Sequence, residues 1–386
     1  MASERQRPHR VLLKRAGWSL LVLALLAGLI EIAIHHYDPT RVIYKRLKAP
    51  DPYLYEEIDP KLRETDVASL IRPDTIRDRE LTRQKLIDVV WGPAGYPDGP
   101  EPDKVQPSVS DNVLGRLPEG TRVSKLYFDL GLGLSSWPYF ARSAEGNNRL
   151  VIYHHGFGDP IDRVSGFLND LLNAGYDVLA FNALGHGGTL AFVDSDQDGI
   201  REHARQSGKS NIFHEMSHFE RPLKYHLDPL VGALTYVQAR HSYRSIDIVG
   251  FSMGGFMAVL AAAVIPEIER SYPIAGVYPN YMRRGQEVFP DGPPAYGPLM
   301  DTANHLELFV LGASGAGRAQ LQIFNRYDRC CFNGIRSQLF KAEVQRTVAQ
   351  AGHGGRFDVL IDESHADHRI SDFAKRAILK DLDRDR

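Results

Sequence analysis

The chain has 386 residues, with 46 Lys and Arg against 48 Asp and Glu, and 43% hydrophobic content. That is enough for a large packed core and excludes a disordered, collagen-like or coiled-coil chain. A formal charge of −2 leaves no basic surplus for nucleic acid, and two adjacent cysteines build no disulfide framework, so Cys330 and Cys331 read as packing thiols.

Residues 1–15 form a basic tail carrying Arg5, Arg7, Arg10, Lys14 and Arg15. Residues 16–34 are an apolar run interrupted only by Glu31. As a helix this run spans about 28 Å, near the hydrocarbon thickness of a bilayer. The cations before it favour a cytoplasmic N-terminus with the rest of the chain on the opposite side. Arg41, Lys45, Arg46 and Lys48 follow closely and offset that bias. A cleaved signal peptide or a buried helix also fits; the length of the run and the lack of a small-x-small cleavage site favour a single-pass anchor. The mean hydropathy of −0.29 therefore averages an apolar segment with a polar remainder.

Residues 35–121 read as a lead-in of unknown role, Pro-rich and charged from Pro50, expected to pack on the domain after it. It holds one helix candidate, Arg77 to Val90, and a turn-dense stretch from Gly92 to Pro107. From 122 to 386 the pattern changes. Lys125–Leu130 and Trp137–Ala141 read as an opening strand pair. Short apolar runs succeed them at Leu150–Tyr153, Val178–Phe181, Ile246–Val249, Ile274–Val277, Leu321–Phe324 and Phe357–Ile361. Helical patterns separate them, notably Asp228–Arg240, Gly255–Val264 and Ser371–Leu382. Alternation of this kind predicts an α/β fold, a mostly parallel sheet with helices on both faces. Chemistry in such sheets collects at the carboxyl ends of the strands.

There the run Ile246–Val249 leads into Gly250-Phe251-Ser252-Met253-Gly254-Gly255, and a small-residue helix comes next. Strand, G-x-S-x-G and helix together describe a sharp turn that lifts the Ser252 hydroxyl clear of the sheet. The bland reading is a glycine-rich connection with an incidental serine. An earlier strand leads into His154-His155-Gly156-Phe157-Gly158.

With these motifs, residues 122–386 resemble serine hydrolases of the α/β-hydrolase fold, of esterase or lipase type. The resemblance implies Ser252 as nucleophile, with an oxyanion hole from the amides of Phe157 and Met253. It also implies an acid and then a histidine later in the chain. Asp328, just past the run Leu321–Phe324, fits the acid better than Asp301 and Glu307 before that run or Asp358 inside the next. Two histidines compete for the base. His365 stands where the family places its Gly-His, with Ser364 in place of Gly. His368 begins His-x-x-Ser, with Ser371 placed to cap the last helix, and is favoured.

The implied reaction is cleavage of a carboxylic ester through an acyl-enzyme, on a small-molecule or lipid-like substrate, with no metal or cofactor. A peptidase or thioesterase belongs to the same class, and a non-catalytic binding protein on this fold is the rival. Oligomeric state is not readable. His214-Glu215-Met216-Ser217-His218 matches a zinc pattern, but Pro222 comes soon after and would end a helix. Asp194-Ser195-Asp196-Gln197-Asp198-Gly199 opens like a calcium loop but puts Arg205 at the twelfth position. Gly185-His186-Gly187-Gly188 reads as a structural turn. The long segments 189–221 and 278–317 are candidate lids.

Overall fold

The computed structural model describes residues 7–48, 58–97, 101–109, 114–157, 161–186, 192–193, 202–203, 216, 219–284, 287, 292–352 and 354–384. Its strands are β1 (Lys104–Pro107), β2 (Arg122–Gly131), β3 (Leu134–Ser136), β4 (Tyr139–Arg142), β5 (Arg149–His154), β6 (Asp177–Phe181), β7 (Phe192–Val193), β8 (Glu202–His203), β9 (Ser245–Phe251), β10 (Ile268–Ile274), β11 (Ala319–Asn325) and β12 (Arg356–Asp362). The main sheet runs β1-β2-β4-β6-β5-β9-β10-β11-β12, with β3 paired to β2. Its first pairings are antiparallel, and all pairings from β6 to β12 are parallel.

The α-helices are α1 (Arg7–His36), α2 (Asp38–Leu47), α3 (Pro60–Arg63), α4 (Pro73–Arg77), α5 (Arg79–Trp91), α6 (Ser165–Asn173), α7 (Pro222–Gln238), α8 (Met253–Val264), α9 (Gly297–Thr302), α10 (His305–Ala313), α11 (Gln338–Gln350) and α12 (Asp372–Leu382). The sheet is covered on both faces, so its central strands are apolar without interruption. On β5, Leu150 and Ile152 enter one core, with α5, α7, α8, α10 and α11. Val151 and Tyr153 enter the other, with α6 and α12.

Three expectations need correction. The strand placed at Ile274–Val277 is instead Ile268–Ile274. Its polar residues disguise it: Arg270 is buried, with its guanidinium donating to Asp381 O at 2.8 Å, and Ser271 accepts from Gln320. The turn-dense stretch contains β1, an exposed edge strand that tolerates Pro107 at its end. Helix α7 begins at Pro222 rather than near Asp228, because proline at the first helical position loses no internal hydrogen bond.

The lead-in packs on the domain. Leu86 and Val90 of α5 are buried in the core, and the Trp91 indole donates to Asp228 at 2.7 Å. Arg72 grips buried Glu307 of α10 through its backbone N–H and its guanidinium. Every residue of α10 is buried, so residues 305–313 of segment 278–317 belong to the core rather than to a lid. At the other end of the chain, Gly17–His36 of α1 is long and apolar enough to cross a membrane, and none of it is buried.

Candidate active site

The predicted elbow is present. Strand β9 ends at Phe251, α8 begins at Met253, and Ser252 between them adopts φ 57° and ψ −123°. A non-glycine residue there costs about 1–3 kcal/mol, so surrounding structure must impose it. The Ser252 amide donates to Ile274 O at 2.9 Å. Close backbone crossings do the rest: a Cβ on Gly250 would lie 1.9 Å from Gly254 O, and one on Gly254 would lie 2.0 Å from His154 O.

The turn after β5 presses against the serine from the other side. A Cβ on Gly156 would fall 2.5 Å from the Ser252 Cβ and 3.1 Å from its Oγ. The next residue is Phe157, whose ring packs at a tilt beside His186, with centroids 5.2 Å apart. Met253 is the first residue of α8, where amides lack internal helical partners. Both predicted oxyanion donors thus flank Ser252 in the chain or in space. Gly158 lies outside the described residues.

Asp328 comes just after β11 and is fully buried. Its Oδ2 accepts from His368 Nδ1 at 2.5 Å, and its Oδ1 accepts from the Cys330 amide at 2.7 Å. The other imidazole nitrogen of His368, Nε2, is buried and, like His365 Nε2, has no hydrogen-bond partner among the described residues. The ring packs on Phe251, immediately before Ser252, with centroids 4.7 Å apart. His365 is placed differently. Its Nδ1 accepts from the Asp367 amide at 3.2 Å, which leaves the proton on Nε2, 3.3 Å from Asp362. Asp362 also accepts from Ser364 and from Ser371, which caps α12 by accepting from the Ala374 amide. Burial raises the Asp362 pKa, but hydrogen bonds from His365, Ser364 and Ser371 outweigh it and hold it at about 2.

The two histidines after β5 serve different ends. His154 is buried, its Nδ1 donates to His155 O at 2.9 Å, and burial lowers its pKa to about 4. His226 of α7 is lowered to about 3, by burial first and by His154 second. His155 shares a 2.6 Å hydrogen bond with the Tyr153 hydroxyl and lines a cleft. That cleft, of about 300 Å³, is also bordered by Phe157, Phe251, His368, Arg163 and Lys375. Clefts of about 550 and 430 Å³ lie elsewhere, the first between α4 and α11 and the second beside α12. Neither is lined by a histidine or a cysteine.

The cysteines are not the free thiols expected. Cys330 and Cys331 form a disulfide two residues after Asp328. Their sulfurs and a His368 nitrogen lie within 4.8 Å of one another, but bonded sulfurs offer no thiolate to a metal. Sequence reasoning also missed the support of the acid loop. Asn333 Nδ2 donates to Asp328 O at 2.8 Å, and Arg336 pairs with Glu287 at 2.6 Å, both buried. Glu287 in turn accepts from the Phe332 amide. Partners 49 residues apart leave no local signal. The zinc-like and calcium-like motifs fall outside the described residues, apart from buried Met216. Of segment 189–221, only the β7–β8 pair, Met216 and residues 219–221 are described.

Comparison with known proteins agrees with this architecture. The family described as the alpha/beta hydrolase fold matches residues 149–271, from β5 through the elbow into β10. Acetyl xylan esterase 1 from Thermoanaerobacterium sp. JW/SL YS485 superposes with a TM-score of 0.50 at 15% identity, over 84% of this chain and 98% of that one. Methylesterase BT1017 superposes with a TM-score of 0.50 at 17% identity, over 83% of this chain and 64% of its own. No curated protein sequence matches the chain. The protein has the α/β-hydrolase fold, preceded by an apolar helix long enough to cross a membrane.

Proposed function

We propose that the protein is a membrane-anchored serine hydrolase that cleaves carboxylic esters with Ser252, His368 and Asp328. The observation that carries this reading is the state of His368. One ring nitrogen is held by a buried carboxylate, and the other is buried, unpartnered and beside the elbow. A base poised in this way takes the Ser252 proton as the hydroxyl attacks the ester carbonyl. The amides of Phe157 and Met253 stabilise the oxyanion, a contribution of roughly 3–4 kcal/mol for one such donor. Collapse expels the alcohol, protonated by His368, and leaves an acyl-enzyme. Water, deprotonated by the same histidine, releases the acid and restores Ser252.

His365 is the weaker base because its ring lies beside Asp362 at the cap of α12 rather than beside the elbow, and its Nδ1 already accepts from the Asp367 amide. The solved neighbours include an acetyl xylan esterase and a methylesterase, which act on small ester groups by name. A cleft of about 300 Å³ borders His368, Phe157 and Phe251 beside the elbow. The disulfide beside the acid favours an oxidising compartment, in keeping with a catalytic domain outside the cytoplasm.

A panel of nitrophenyl esters of graded acyl length tests the reading. Turnover highest on short acyl chains and abolished by Ser252→Ala supports it. Turnover indifferent to Ser252→Ala removes it.

A further inference from the structure

Helix α2 is amphipathic in an unusual sense: its charged side faces the protein and its apolar side faces outward. Asp38 pairs with Arg369 at 2.5 Å, Arg41 with Asp367 at 2.7 Å, and Lys45 with Asp367 at 3.1 Å. The Lys45 ammonium also donates to Ala366 O. Between them Val42 packs on Tyr327 and Ala366, and the Arg46 guanidinium lies 5.6 Å from the Tyr327 ring. One helix therefore holds both loops of the site: Tyr327 precedes Asp328, and Asp367 precedes His368. The opposite side carries Ile43, Tyr44 and Leu47, which are 57%, 39% and 83% exposed.

A helix on a protein surface in water normally turns its apolar stripe inward. Here the outward stripe follows exposed, apolar α1 in the chain after a single extended residue, Tyr37, itself 61% exposed. Tyrosine and aliphatic groups at the end of an apolar span are what the headgroup region of a bilayer accommodates.

We propose that α2 is an interfacial helix that seats the rim of the active site on the bilayer. Ile43, Tyr44 and Leu47 enter the headgroup region, and Arg41 and Lys45 fasten the loop carrying His368 to the same helix. The substrates are then esters presented at a lipid surface, hydrolysed where they lie. The substrate part of this inference rests on the Ser252–His368–Asp328 reading, and the seating of α2 rests on α1 as the membrane anchor.

The test uses the full chain reconstituted in phosphatidylcholine–phosphatidylglycerol vesicles. Because Cys330 and Cys331 are bonded to each other, Leu47→Cys offers one site for an environment-sensitive fluorophore. The proposal expects a blue-shifted emission that collisional quenchers in the lipid diminish. A water-like emission that only aqueous quenchers reach overturns the seating. A blue shift that persists in detergent together with a doubled particle size assigns the stripe to a second copy, and also overturns it.

The triple variant Ile43→Ser, Tyr44→Ser, Leu47→Ser then tests the substrate class. Turnover of a vesicle-embedded ester, relative to a soluble nitrophenyl ester, is expected to fall about ten-fold or more, since interfacial binding scales with buried apolar area. An unchanged ratio overturns the lipid-surface substrate. Absence of turnover on both esters by the unaltered chain rejects the Ser252 reading, and the fluorophore still decides the seating.

Discussion

His368 Nδ1 and Asp328 Oδ2 lie 2.5 Å apart, although 40 residues separate them in sequence. The neighbouring His365 lies 3.3 Å from a different acid, Asp362. Two histidines three residues apart thus serve two carboxylates, one beside the elbow and one at the cap of α12. The division predicts separable effects. His368→Ala should reduce ester turnover on the order of 10⁴-fold or more, as removal of a triad base does elsewhere. His365→Ala should keep most turnover and lose about 1–3 kcal/mol of stability from the emptied buried site, with Asp362 still held by Ser364 and Ser371. Nitrophenyl ester kinetics and urea unfolding of both variants check this.

The crossing of Gly156 over Ser252 predicts a steric effect without a charge change. Gly156→Ala places a Cβ 2.5 Å from the Ser252 Cβ. It must displace either the serine or the turn carrying Phe157. Turnover should fall by about two orders of magnitude, the scale of losing one oxyanion donor. The fall should appear in kcat rather than in KM, while far-ultraviolet circular dichroism stays unchanged.

Buried Arg336 and Glu287 meet at 2.6 Å beneath the acid loop. Arg336→Met leaves Glu287 buried without its cation and should destabilise the protein by about 3–5 kcal/mol. Replacing both, with Glu287→Met added, should recover part of that loss. Urea midpoints of the two single variants and the double variant give the coupling directly.

His154 and His226 make a prediction about acid. Both have folded-state pKa values, about 4 and about 3, far below the ordinary 6.5. Below pH 6.5 the unfolded chain takes up protons that the folded chain refuses. Their stabilising contribution is therefore complete above 6.5 and declines as pH falls toward about 4. Each full proton is worth about 1.4 kcal/mol per pH unit. His226 Nε2 has no hydrogen-bond partner among the described residues, so His226→Leu should make the decline shallower. Thermal melts between pH 7 and 5 measure the slopes.

Legibility in the sequence tracked the range of the interaction. The elbow was readable because strand, turn glycines and helix are consecutive from Ser245 to Val264. Ser371 was readable as a cap because its partner, the Ala374 amide, is three residues away. Strand β10 was misplaced because its buried Arg270 is satisfied by Asp381 O, 111 residues on. A longer separation concealed α2: Arg41 and Lys45 read as membrane-flanking cations, yet their partner, Asp367, lies 322 residues beyond Lys45. The pairing of Cys330 with Cys331 contradicted the expectation of free thiols, for which adjacency was the only ground. The competition between His365 and His368 turned on which carboxylate each ring meets, which only the packed loops define.

The central claim is that Ser252 is a nucleophile activated by His368. A fluorophosphonate probe tests it most directly, with the modified peptide identified by mass spectrometry. The account predicts one adduct on Ser252 in the unaltered chain, none in Ser252→Ala, and a rate lowered by orders of magnitude in His368→Ala with Asp328 intact. An adduct at another residue, or labelling of Ser252 at the same rate without His368, would contradict it.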